Sequence, residues 1–134
     1  EGEILAALGR DDEALRVLRQ AVQLTRAGFG DAHSHARRAE ISLARLEARL
    51  GDASARTRLA TLGDYRGTDI EQRKAAWLAR AYAAESACRN DPPRARGQLD
   101  AVLAQMQLAL PEGGAVPREV QSIRKACLAG IARR

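Results

Sequence analysis

The sequence predicts an all-α fold built from stacked helical hairpins, and three observations lead to it. Apolar residues make up 46% of the 134-residue chain but aromatics only 3%, and the apolar share is dominated by Ala and Leu, both strong helix formers. β-branched and aromatic residues, which favour strands, are scarce and never alternate over a useful length. Apolar residues recur instead at three- and four-residue steps between glycine-centred breaks, and the breaks repeat, with Gly9 and Gly51 about 42 residues apart.

Gly2 to Leu8 has the composition of the last turns of a helix, ended by Gly9 where a left-handed C-terminal residue is favoured. Asp11 and Asp12 supply an N-cap and negative charge for the next helix, whose stripe is Ala14, Leu15, Leu18, Ala21, Val22 and Thr25, ending near Ala27. Phe29 to His35 forms a loop in which Asp31 or Ser34 can cap a third helix. That helix turns Ala36, Ala39, Leu43, Leu46 and Leu50 inward and ends on Gly51-Asp52. A short partner helix over residues 53–62 buries Leu59 and Leu62 and stops at Gly63. Thr68 or Asp69 then starts a long helix through Ile70, Trp77, Leu78, Ala81, Tyr82 and Cys88, closed by Asn90 and Asp91. Pro92-Pro93 suits the first turn of the next helix, where the missing N–H has no partner to lose. Leu99, Val102, Leu103, Met106 and Leu110 face inward from it. After the loose linker at residues 111–117, Val116, Val120, Ile123, Cys127 and Ile131 form a narrow apolar seam on a terminal helix. The expected division is three hairpins, at about residues 1–28, 34–62 and 69–110, and a closing helix at about 116–132.

Length and composition bound the class. A chain of this size is one domain that buries roughly two-thirds of its unfolded surface. It opens on Glu1 in what reads as mid-helix, so it is expected to be a C-terminal fragment of a longer protein. No apolar run reaches the roughly 20 residues that cross a bilayer and no signal peptide is visible. The expected compartment is cytoplasmic, or periplasmic if a membrane segment lies upstream. Cys88 and Cys127 are far apart with no Cys/His cluster, and the reading is two buried thiols rather than a disulfide or metal site. Net charge is +5 and the pI about 10. Only Lys74 and Lys125 are lysines; an Arg- and Ala-rich, Lys-poor chain is what a GC-rich bacterial genome produces, and this is preferred to selection for a polyanion.

Gly9, Glu13-Ala14, Leu18, Ala21 and Leu24 fall in the order of a turn glycine, an acidic-Ala step, a large apolar residue and a second Ala one turn on. In this the chain resembles the tetratricopeptide repeat, with Gly2 at the small position where paired helices touch. The second repeat matches at Leu43, Ala44, Leu50, Gly51 and Asp52 but lacks the acidic-Ala step in its short second helix. The third matches at Leu78, Ala79 and Tyr82, and runs about a turn long before Ala95 and Leu99 resume the pattern. A period above the ordinary 34 or so residues is similar to the longer variety found in kinesin light chains and in many bacterial signalling proteins. Repeats of this kind stack because one hairpin cannot bury its apolar face alone. The resemblance therefore implies a right-handed solenoid and a role as a protein-interaction scaffold.

The resemblance also implies that ligands lie along the first helix of each hairpin. Carried across, the groove positions are Arg38, Arg45, Ala48 and Arg49, then Arg73, Ala76, Arg80, Ala83 and Ala84. Arginine forks bind carboxylates in a bidentate way, so an acidic or C-terminal-carboxylate peptide is the expected partner. Against it stands an ordinary solvated arginine face. His33, His35 and Asp31 are too few for a metal site, and no metal or cofactor is expected. Trp77 and Tyr82 are expected to be packing residues, with a groove anchor as the alternative. The scattered carboxylates and isolated Ser34 provide no catalytic constellation, and the expectation is a non-enzyme. Two other classes compete. A structural domain could self-associate through the open edge of the first hairpin. A nucleic-acid binder is disfavoured because single-strand recognition relies on aromatic stacking platforms, and four aromatic residues are few.

Overall fold

A computed structural model describes residues 11–30 and 33–132. The helix tail from Gly2 to Leu8, the Gly9 turn, the Asp31 cap and the side chain of Ile131 lie outside what it describes. The described residues form helices and no strand: α1 (Asp11–Phe29), α2 (Ser34–Arg49), α3 (Ala53–Leu62), α4 (Ile70–Ser86), α5 (Pro92–Ala109) and α6 (Ala115–Ala132). The chain is all-α. Each helix packs on the next, and in addition α2 touches α4 and α4 touches α6.

The breaks are locally encoded. At the end of α2 the Asp52 amide donates to the Glu47 carbonyl at 3.0 Å and the Gly51 amide to that of Ala48 at 3.1 Å, the paired bonds that satisfy otherwise orphaned helix-end carbonyls. This turn needs Gly51 at φ +95°, a conformation that penalises any side chain. Asp52 then caps α3, accepting from the Ser54 amide at 2.9 Å and its hydroxyl at 2.7 Å. Those hydrogen bonds, the hydroxyl's first, hold its carboxyl below the usual range. Asp69 caps α4 through the Gln72 amide, and Asp91 caps α5 through that of Arg94, with prolines in its first turn.

Three local expectations change. His33, rather than Ser34, is the N-cap of α2: its Nδ1 accepts from the His35 amide at 3.2 Å, and the two rings stack at 5.2 Å. Helix α4 stops at Ser86, well before Asn90, because the Ala87 and Cys88 amides turn back to carbonyls three residues earlier. Leu50 and Ile70 are 46% and 39% exposed. Each sits at a helix end, where the apolar stripe has run past its neighbour.

The core has two parts. Ala14, Leu18 and Val22 of α1 meet Leu43 and Leu46 of α2, flanked by Leu15 and Ala39. The larger part joins α2 through α6 and is centred on α4. Helix α2 serves both, showing Leu43 and Leu46 to α1 and Ile41, Ala44 and Ala48 to the larger core. This is why its buried residues do not follow one stripe. Helix α4 is apolar nearly all round, with Ala75, Ala76, Trp77, Leu78, Ala79, Ala81, Tyr82 and Ala84 buried, the pattern of a helix covered on every side. Leu59, Leu99, Met106 and Val120 close the core from α3, α5 and α6.

The cysteines are joined. Cys88, just after α4, and Cys127, on α6, form a disulfide with Cα atoms 5.9 Å apart, inside the usual range. The expectation of two free thiols fails because packing of α6 on α4 brings together residues that lie 39 positions apart in sequence.

Leu99 is fully buried and Leu108, on the same helix, is 88% exposed. Leu99→Ala should lower the unfolding free energy in urea by about 2–5 kcal/mol, whereas Leu108→Ala should change it by less than about 0.5 kcal/mol.

Candidate functional site

Arg45 projects from the middle of α2 toward α4 and α6. Its Nε donates to Glu85 Oε1 at 3.0 Å and its Nη2 to Glu85 Oε2 at 2.8 Å, a two-pronged fork. Its Nη1 reaches Glu119 Oε1 on α6 at 3.4 Å, and the Tyr82 hydroxyl donates to the same oxygen at 3.2 Å. The guanidinium also lies over the Tyr82 ring, 4.1 Å from its centroid. Burial is the largest influence on this group and favours its neutral form. The Glu85 hydrogen bond and the charges of Glu85 and Glu119 outweigh burial, and the Arg45 pKa is raised. Arg45 is thus a charged pin across three helices, with donors on both prongs committed.

Around this pin lies a cavity of about 510 Å³. It is lined by Arg45, Tyr82 and Glu85, by Ala48 and Gly51, and by Arg49, Arg56 and Arg89. Arg49 approaches Glu85 Oε2 at 3.5 Å with its side chain 54% exposed. Arg56 stands on the exposed side of α3 and Arg89 in the turn after α4.

The other face of α4 carries a separate cluster. The Arg73 guanidinium lies 5.0 Å from the Trp77 ring centroid. Trp77 Nε1 and Arg80 Nη1 both donate to Gln105 Oε1 on α5, at 3.2 and 3.0 Å. Arg80 Nε donates to the Gly63 carbonyl at 2.7 Å. The approach is close enough that a Cβ on Gly63 would sit 2.7 Å from Arg80 Cγ. With Tyr65, Gly67 and Thr68 these residues bound a second cavity of about 360 Å³.

The five arginines expected to line one groove therefore divide. Arg45 and Arg49 share the first cavity, and Arg73 and Arg80 share the second. Arg38 is half-buried on α2, two turns before Arg45 on the same stripe, and lines neither of them. Of the expected alanine floor, Ala48 lines the first cavity and Ala76 the second, while Ala84 is buried and Ala83 half-buried. Trp77 and Tyr82 are buried core residues that also hold site side chains. Sequence reading missed Glu85, Glu119, Gln105, Arg56 and Arg89. One signal was available for Glu85: its separation from Arg45 is 40 positions, close to the repeat spacing, which places the two on neighbouring first helices.

No protein-family model, curated protein or solved structure matches the chain.

Arg45 and Glu85 are each about one-quarter exposed and form the fork directly. A double-mutant cycle with Arg45→Ala and Glu85→Ala should return a coupling of about 1–2 kcal/mol in denaturant unfolding, above the range of solvent-exposed pairs.

Proposed function

We propose that the chain is a bacterial, non-catalytic protein-interaction module of the tetratricopeptide type that captures an acidic peptide along its first helices. The observation that carries this reading is the placement of arginines beside a cavity where α2 and α4 meet, with positive charge left over after the local carboxylates are counted. The adjacency of helices supports it further. In stacked hairpins a first helix contacts its own partner and the first helix of the next hairpin, and α2 and α4 have contacts of that kind, α4 with α6 standing next. Arginines carried on helices start from a fixed backbone, which lowers the ordering cost of binding.

The test is a peptide-display selection against the full chain, followed by fluorescence anisotropy on the best binder. Acidic sequences should be enriched, and Arg49→Glu, at an exposed position, should weaken binding by about tenfold or more. A neutral or basic consensus, or an unchanged affinity in the variant, defeats the reading.

The disulfide favours an oxidising compartment such as the periplasm over the cytoplasm, where thiols are kept reduced. No helix among the described residues is long and apolar enough to cross a membrane. Alkylation of intact cells before and after reduction should find Cys88 and Cys127 blocked until reductant is added. Reduction of the purified chain should cost about 2–4 kcal/mol of stability. Free thiols in cells would return the assignment to the cytoplasm.

A further inference from the structure

We infer that the Cys88–Cys127 bond is a redox latch on the last turns of α6, opened by a dithiol that attacks the Cys88 sulfur. What else holds that stretch is the first consideration. The polar ties that α6 receives from Arg45, Tyr82 and Asp100 end at Glu119 and Arg124. Past Arg124, Cys127 is the only buried side chain among the described residues; Leu128 is partly buried, and Lys125, Ala126, Ala129 and Gly130 are exposed. Gly130 also sits inside the helix, where glycine is less favourable than alanine. A helix end with so little burial opens locally at small cost. Among the described residues the bond to Cys88 is therefore the main restraint on the last two turns.

The bond can also be reached. Both cysteines line a cavity of about 400 Å³, together with Glu85 of α4 and Ile123, Ala126 and Gly130 of α6. Cys88 lies in the turn after α4 and is partly buried, whereas Cys127 is 7% exposed. Access helps decide which sulfur a thiolate attacks, and here it favours Cys88.

The exchange runs in two displacements. A thiolate of the dithiol bonds to the Cys88 sulfur as the Cys88–Cys127 bond breaks; the electron pair leaves with Cys127, which takes a proton from water. The second thiol of the same dithiol, as thiolate, then displaces Cys88 from the mixed disulfide, and Cys88 is protonated in turn. The chain gains two thiols and is reduced by two electrons, while the dithiol is oxidised to its disulfide. With the latch open, the wall formed by Ala126, Cys127 and Gly130 is released from the cavity. Glu85 borders this cavity and the one around Arg45, so the release bares the flank of the carboxylate that holds the Arg45 fork.

The alternative is an inert staple that is reduced only when the whole domain unfolds, and kinetics separates the two. The oxidised full-length chain is reduced with dithiothreitol at rising urea, below the unfolding transition. Attack on the folded chain should change in rate by less than about twofold per molar urea, whereas a route through global unfolding accelerates by about fivefold or more per molar. A brief exposure to glutathione, quenched in acid and mapped by mass spectrometry, should place the mixed disulfide on Cys88. Hydrogen exchange then reads the consequence. Amides 126–132 should exchange about tenfold or more faster in the reduced chain than in the oxidised one, and should do so at the shortest labelling times, when the amides of α2 and α4 are still protected. Cys88→Ser combined with Cys127→Ser should show the reduced pattern without reductant and be indifferent to dithiothreitol; the measurements on the unaltered chain decide the matter without it. A reduction rate that follows global unfolding, an adduct on Cys127, or unchanged protection of amides 126–132 after reduction overturns the inference.

Discussion

The burial of α4 on every side is the constraint that the rest of the fold accommodates. Four other helices touch it, and a helix can be approached that closely only if much of its surface is small. Ala75, Ala76, Ala79, Ala81 and Ala84 supply that surface. Alanine also has the highest helix propensity and loses no side-chain entropy on burial. Because each alanine buries little area, bulk is concentrated in Trp77, Leu78 and Tyr82 and in the residues that meet them, such as Leu59, Leu99 and Met106. Gly63 extends the same logic to a turn, where only hydrogen in place of a side chain lets the stem of Arg80 pass.

Polar restraints are laid over this apolar frame where the helices that touch α4 come within reach. Arg45 connects α2 to both α4 and α6, and its cost of burial is offset by two carboxylates and an aromatic face. Helix α6 is held additionally by Arg124 on Asp100 at 2.6 Å and by the disulfide one turn beyond Glu85. Arg45 and Glu85 neutralise each other, and Arg49, Arg56 and Arg89 also line the neighbouring cavity. Arg45, tied across three helices, is thereby set apart from the more exposed Arg49 and Arg56, which look like it in the sequence.

Much of the architecture was legible because its signals act over a few residues. Gly51-Asp52 encodes a left-handed turn and the next cap within one short segment, and Asp69, Asp91 and Pro92 mark helix starts in the same way. The stripes of α1 and α6 were readable because each helix buries one face: Ala14, Leu18 and Val22 in the first, Val116, Val120, Ile123 and Cys127 in the second. Helices α2 and α4 were less so, since a helix with neighbours on several sides loses the single stripe on which periodicity reading depends. Leu50 and Ile70 fit their stripes and are still exposed, because a stripe does not say where the neighbouring helix ends.

By itself the sequence determined the all-α class, most of the places where helices stop and start, and a surplus of arginine near the first helices. Propensity, capping and periodicity are properties of neighbouring residues and survive without knowledge of the fold. Only the tertiary structure decided that Arg45 is consumed by Glu85 and Glu119, that Arg73 and Arg80 face the α5 side with Gln105, and that Cys88 meets Cys127. These partners lie 25 to 74 positions apart, and their meeting depends on which faces of α2, α4, α5 and α6 are turned together. Packing sets that orientation, and no local pattern in the chain records it.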